Sequence, residues 1–512
     1  MNLPVIKYNG KTIALTGVKL KIVNHMNRHA RAQITGSLKG YEKEAFFQLM
    51  DRAYSGSLLE IGYDSVVNHK TIFTPLFTGT ISKMSVQSEQ NLLTISAVSL
   101  TYQLDIKPRS RSFQNVQMTY DELIQDVLDH YKKYTEHINY PDVQWSSNLQ
   151  GQKLEKFVLQ YHETDWAFLK RMASRLEWGL IAGITRDQPY VHFGLPEEDV
   201  IDGKLETYRY TVTRKLGSFG KDGEQNLLYY TVRTTDIETF YTPGKKIKLR
   251  LLFPPSDEKP TISQLNGYDS KFGRSADIAS NTEKELDLYV YRAVTTFDTA
   301  WNHDCVLTSK AGLLRKPVTN KQIQGASLKG RVIEVIEDKV KVDFEEIEST
   351  NELSPKQAIL FPHASMYTSE GNTGWYCMPE IKDYVHIYFP TEEEGDGIVT
   401  HSVRMRTSGG DMIADPAVKI FMTKHRKAII FEKNEIIITG NDNEMLIRLI
   451  DEKGIEIRSS KDIRVKAAGD LILKAGNSVQ ITAQEAIGMK AKTSLIEMDG
   501  ETKIRGTKVK MN

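Results

Sequence analysis

From Glu444 to Thr493 the chain repeats every eight residues, and two columns of the repeat stay apolar. Those columns read Ile447/Leu449, Ile455/Ile457, Ile463/Val465, Leu471/Leu473, Val479/Ile481 and Ile487/Met489. Two positions further on, a small residue recurs at Ser459, Ala467, Ala475, Ala483 and Ala491, with Asp451 breaking the column in the first row. Alternate residues of a strand share one face. Each row therefore predicts a strand of about five residues with an apolar, apolar, small inner face, followed by about three residues of turn. Lys453-Gly454, Lys461-Asp462, Gly469-Asp470 and Gly476-Asn477-Ser478 supply the residue types that tight turns favour.

Eight residues are too few for one chain to close a coil around its own core, so the repeat unit needs neighbours. Three arrangements fit the alternation. Several copies can wind together, each giving one wall of a shared core; two or three octads can make one coil of a single-chain solenoid; or the rows can be ordinary sandwich strands. The strict period speaks against the sandwich, and the small column suits a corner where chains approach a common axis. Positions between the apolar columns are mostly polar, as at Glu456, Arg458, Arg464, Lys466, Lys474, Gln480, Thr482 and Lys490, and predict a wet exterior.

Upstream, the 512 residues leave room for about three or four domains on ordinary domain sizes. Residues 1–315 read as short strands with two inserted helices. Thr119-Tyr-Asp-Glu122 is a capping box followed by Leu123, Ile124, Val127, Leu128 and Tyr131 at helical spacing, and a second helix starts at Thr164. No internal repeat is visible in this region. Residues 316–325 read as a polar linker. Five strand candidates in 326–404 suit a small barrel of the OB type. Residues 405–440 form a connector to the octads of 441–512.

Three segments in this order resemble the VgrG family, the spike proteins of contractile tails and injection systems. Residues 157–183 are similar to the family segment Q-Y-x-E-[ST]-D-x-x-F-x-x-R, filled by Gln160, Tyr161, Glu163, Thr164, Asp165, Phe168 and Arg171. Residues 328–344 resemble the opening hairpin of the family's OB domain. Gly374, Trp375, Pro379, Glu380, Asp383 and Val385, with the strand 397–403, resemble its closing strands. The resemblance implies a mainly β fold: a hub of tube-like β-barrels with two inserted helices, an OB-fold barrel, and a C-terminal intertwined trimeric β-helix. Its core would be the apolar columns and its corners the small one. It further implies a homotrimer that caps the tail tube and pierces the target envelope on sheath contraction, two similar barrels per chain letting three chains imitate six tube subunits. The implied partners are an Hcp-like tube protein, baseplate proteins, a PAAR-like tip and effector cargo. Residues 405–435 are too few for the muramidase that phage relatives insert there. No histidine follows His425, so this chain does not itself form the histidine-rich iron tip of some spikes.

Searching for chemistry gives little. The charge is balanced, 67 basic against 66 acidic residues, and the barrel lacks a basic face interleaved with aromatics, which argues against a nucleic-acid partner. The twelve histidines show no metal spacing, and His363 and His386 read as structural. Gly217, Gly220 and Gly223 do not form a phosphate loop, and 392–396 reads as a solvated acidic loop. Cys305 and Cys377 read as buried thiols of a reducing compartment. No catalytic, cofactor or metal residues are assigned. The N-terminus lacks the apolar run of a signal peptide, so synthesis in the cytoplasm is expected, with assembly into a baseplate and ejection toward the target envelope. The rival readings are a tail-associated peptidoglycan hydrolase or effector, and a single-chain β-solenoid adhesin.

Overall fold

The computed structural model describes residues 3–38, 58–134, 141–146, 149–196, 200–207, 209–218, 224–235, 239, 241–252, 284–345, 347, 353–370, 373–404, 415–440, 443–498, 500–508 and 510. The chain is mainly β, and it divides at Met405/Arg406 into two compact units.

Most of the first unit hangs on one 13-stranded sheet. Ten of its strands fall into two sets of five. The first set is Leu15–His25, Arg31–Leu38, Leu58–Val67, Lys70–Gln87 and Leu92–Ser99. The second is Tyr210–Ser218, Glu224–Thr234, Lys246–Leu251, Lys284–Phe297 and Trp301–Thr308. In each set the first strand pairs with the second, the second with the fifth, the fifth with the fourth and the fourth with the third. Even the irregularity repeats: the ladder of fourth against fifth strand shifts between Ile81 and Lys83 in one set and between Val290 and Arg292 in the other. The hub is thus a structural duplication that the sequence does not show. The two sets are joined where the fourth strand of the second pairs with the first strand of the first, Arg292 opposite His25 through Phe297 opposite Leu20. Each set keeps its own core, Ile22, Ile34, Ile61, Phe77 and Ile95 in one, Val232, Leu249, Val290 and Leu307 in the other.

Between the two sets lies a helical insert. Helix α1 (Tyr120–Tyr134) begins with the expected reciprocal cap: Thr119 N donates to Glu122 Oε2 at 2.9 Å and Glu122 N to Thr119 Oγ1 at 3.3 Å. Helix α2 (Asp165–Arg175) is capped by Thr164, whose hydroxyl accepts from Ala167 N. Leu123, Ile124, Val127 and Leu128 of α1 and Trp166, Leu169 and Met172 of α2 share one core with a small sheet of Asp142–Trp145, Leu180–Ala182 and Tyr190–Phe193.

The strands Ser327–Ile336, Lys339–Phe344, Leu360–Pro362, Tyr384–Tyr388 and Ile398–Val403 form a five-stranded sheet. A parallel bridge between His363 and Val399 joins its two ends and closes a barrel. Two of its core residues come from the hub: Phe157 stacks on Phe344 at 6.0 Å and meets Phe361 edge-on at 5.6 Å, and Leu159 lies in the same cluster. Residues 316–325 are not a free linker, because Asn320 and Ile323 are buried, the latter in the barrel core. The motif Gly374–Glu380 precedes the barrel strand rather than belonging to it. Gly374 adopts φ 142 beside Tyr367, where a Cβ would lie 2.6 Å from a carbonyl oxygen, and Trp375 and Tyr376 are exposed. Cys305 is buried as expected, burial pushing its thiol up to about 12, whereas Cys377 is exposed.

The second unit starts with an antiparallel meander of Lys419–Met422, Ala428–Phe431, Glu435–Gly440, Met445–Ile450 and Gly454–Ser459, so the expected connector already carries three strands. It ends with Ile487–Ala491, Ser494–Met498 and Thr502–Arg505. The stretch between them has no strand partner among the described residues.

Because hub residues complete the barrel core, Phe157→Ala should cost about 3–5 kcal/mol and lower one shared thermal transition of hub and barrel. Calorimetry resolving an unchanged hub transition and a separate barrel transition would contradict the shared core.

Candidate functional site

The octad rows keep their period in the folded chain, but not all as paired strands. The first two rows form a hairpin in which Ile447 opposes Ile457 and Leu449 opposes Ile455, while Arg448 opposes Glu456 on the other face. Arg448 also makes a two-pronged bond to Glu435, at 2.6 and 2.8 Å. Alternation has therefore put the apolar columns on one face and the Arg448 ion pairs, among Ile437, Leu446 and Ile450, on the other. The next three rows, expected as strands, are extended segments broken by bends at 460–461, 468–469, 476–477 and 484–485, again eight residues apart. They carry Ile463, Val465, Leu471, Leu473, Val479 and Ile481, all exposed, with Ala467, Ala475 and Ala483 beside them. Ile455 and Leu473 are 73% and 71% exposed, so the described residues of this chain leave the apolar columns uncovered. In the sixth row Ile487 opposes Met498 and Met489 opposes Ile496, with Lys492 at φ 51 in the turn. In sequence the apolar alternation slips after Met489 and resumes one residue late at Ile496 and Met498, and this hairpin is the physical reason. The small residues Ser459 and Ala491 end their strands opposite Met445 and Ser494.

The second feature is a buried ionic junction built by residues 160–175. The strand Val158–Thr164 bulges between Gln160 and Glu163, with His162 at φ 47, which aims the two side chains at different partners. Gln160 and Asp165 face Arg111: its guanidinium donates to Gln160 Oε1 at 2.7 Å and to Asp165 Oδ1 at 2.5 Å. Tyr131 of α1 donates to the other oxygen of Asp165 at 2.7 Å, tying the helices together. Burial, followed by the charge of Asp165, pushes the Tyr131 phenol up, so it stays a neutral donor.

Glu163 faces Arg171, which binds it through Nε and Nη2 and also donates to Leu159 O at 2.9 Å. The remaining nitrogen of Arg171 reaches across to the barrel and donates to Glu394 at 2.6 Å, and Arg175 holds the same carboxylate. Glu394 is 4% exposed, so the acidic loop expected to be solvated is an interdomain anchor. Burial works against the Arg171 cation, and the hydrogen bonds and charges of Glu163 and Glu394 outweigh it, lifting its pKa. Asn320 adds bonds to Glu163 and to Tyr161 O. Sequence spacing groups the motif residues but gives no sign that Arg111, Asn320 and Glu394 complete them. Among the described residues no group of three His, Cys, Asp or Glu could hold a metal ion. The glycine turn at 219–223 lies outside the described residues.

No family model and no curated protein matches this sequence. Solved structures do match. A chain of the half-lidded Francisella PdpA-VgrG complex superposes with a TM-score of 0.52 at 10% identity, covering 90% of this chain and 88% of that one. A chain of the lidless PdpA-VgrG complex gives 0.52 at 11% identity, over 90% and 98%. The E. coli c3393 protein is described as a type VI secretion component with structural similarity to the T4 tail proteins gp27 and gp5. It superposes more loosely, at TM-score 0.46 and 12% identity, over 78% and 99%. The fold of this chain is that of VgrG-type tail proteins.

Glu394→Ala leaves Arg171 paired with Glu163 but takes away the barrel-side partner of Arg171 and Arg175, and should cost about 2–3 kcal/mol. Chemical denaturation reads this directly, and a loss below about 1 kcal/mol is the value of an exposed pair.

Proposed function

We propose that three copies of this chain form the hub and spike of a contractile injection particle. In this reading the octad rows wind into a shared β-helix. The observation that carries it is the apolar strip of 463–481, whose column residues are 56–71% exposed on one chain and which is bent at the octad period. Two further copies of the same strip are its natural cover, since identical rows meet in identical register. Ile447, Leu449, Ile455, Ile457, Ile487 and Met489 extend that core, and the small column occupies its corners. Burying each large aliphatic side chain contributes roughly 1.5–3 kcal/mol, so the rows sum to a stiff rod that unfolds slowly. Slow unfolding under load is the property a piercing device needs. Sheath contraction supplies the work, and the chain supplies rigidity.

The 1–315 hub docks on an Hcp-like tube and on baseplate proteins, its duplicated strand sets matching a tube of higher symmetry. The shaft seats a PAAR-like tip, and effector cargo rides with the assembly, which is made in the cytoplasm and ejected toward the target envelope. The role is mechanical rather than catalytic. The likeness in fold to VgrG-type proteins supports this reading.

Light scattering on the full chain should give a three-chain mass that survives detergent and moderate heat. Ile463→Asp together with Leu471→Asp should abolish the detergent resistance. A stable monomer at micromolar concentration, or an unaffected double variant, sinks the proposal. Clearing of a cell-wall zymogram by the purified protein overturns the non-catalytic part.

A further inference from the structure

The duplicated hub contains a template for its own assembly. Inside the chain, the fourth strand of the second set, Lys284–Phe297, changes partner along its length. Its first half pairs with Lys246–Leu251, ending at Lys246 opposite Tyr289. Its second half offers the same edge to the first strand of the other set, with Val294 opposite Val23 and Thr295 opposite Ile22. The fourth strand of the first set, Lys70–Gln87, is built alike. It pairs with Leu58–Val67 only up to Thr80 opposite Leu58. Among the described residues, no strand lies against 81–87 on the side away from Leu92–Ser99. The other end of the sheet is also open, since no described strand lies outside Tyr210–Ser218, the first strand of the second set.

These two open edges are the counterparts of the two strands that meet within the chain. We propose that they meet between copies, the edge at 83–87 of one chain taking Tyr210–Ser218 of the next, antiparallel, with Ser85 opposite Thr213 and Val86 opposite Val212. This rests on the three-chain reading above and specifies its hub contact.

The register follows from the pairings. The shared irregularity places Lys83 as Arg292, Ser85 as Val294 and Val86 as Thr295. On the other strand, Thr213 opposes Tyr229 and Tyr229 opposes Thr308, as Val23 opposes Arg31 and Arg31 opposes Val98. Thr308 and Val98 in turn pair with Tyr289 and Thr80, the last residues of the third-strand ladders. Thr213 is therefore placed as Val23, and Val212 as Ile22. One pair favours the placement and one opposes it. Val212 is 44% exposed at the edge and would meet Val86, whereas Lys83 would face Lys215, a like-charge pair at the end of the seam that weakens it. A head-to-tail contact of this kind closes into a ring, and closure removes the open edges that otherwise invite aggregation.

Paired cysteines test the register, because a disulfide needs Cα atoms within roughly 7 Å. In a Cys377→Ser background, Ser85→Cys with Thr213→Cys should on mild oxidation lose its single-chain band to a three-chain species on non-reducing gels. Co-expressing the two single-cysteine chains should yield a two-chain species. Ser85→Cys with Arg214→Cys is one position out of register and on opposite faces, and should stay unbridged. Met84→Cys with Arg214→Cys tests the same seam from its other face if the first pair disturbs folding. A three-chain particle by light scattering that forms neither in-register bridge overturns the seam and leaves the three-chain reading standing. A monomer in solution overturns both.

Discussion

The apolar strip of period eight is not buried by the described residues of the chain that carries it. The turn after every few extended residues brings no second layer across the strip, so Ile463, Val465, Leu471 and Leu473 stay in water on a single copy. Much of the molecule shares this incompleteness. Among the described residues the hub sheet ends in edges without a strand partner, and the hairpin at 445–459 sets Ile447, Leu449, Ile455 and Ile457 on one face and the Arg448–Glu456 pair, flanked by Leu446 and Ile450, on the other. In the proposed three-chain assembly, copies of the chain complete these surfaces.

The joint between hub and barrel, by contrast, is made within one chain. Two kinds of contact hold it. Phe157 and Leu159 enter the barrel core, which gives non-directional attraction. Arg171 then fixes orientation, because a planar guanidinium bound by Glu163, Glu394 and a carbonyl leaves little freedom for rotation. A buried arrangement of this sort adds little net stability over a well-packed apolar one, but breaking it is costly. It suits a joint that transmits force, since slippage would leave charges unpaired.

Some of this was legible in the residues. The capping box at Thr119, the Thr164 cap and the five barrel strands follow from local spacing, and local hydrogen bonding dictates them. The octad period was legible for the same reason, and so was the slip after Met489, which the hairpin at Lys492 explains. The hub duplication was not. Its two strand sets share ladders and a bulge, but a β ladder constrains alternation and not identity, so unrelated residues satisfy it.

The junction shows the same divide at one side chain. Sequence alone determined that residues 160–171 would form a strand and a capped helix bearing Gln160, Glu163, Asp165 and Arg171. It also determined the eight-residue recurrence of apolar pairs through six rows from Ile447 to Met489. Only the tertiary structure decided that Glu394, in an acidic run that reads as solvated, would be drawn 223 residues back to Arg171 and buried. The reason is physical: periodicity and caps are written between near neighbours, whereas the partner of a buried charge is set by which distant loop the packing of two cores brings within reach.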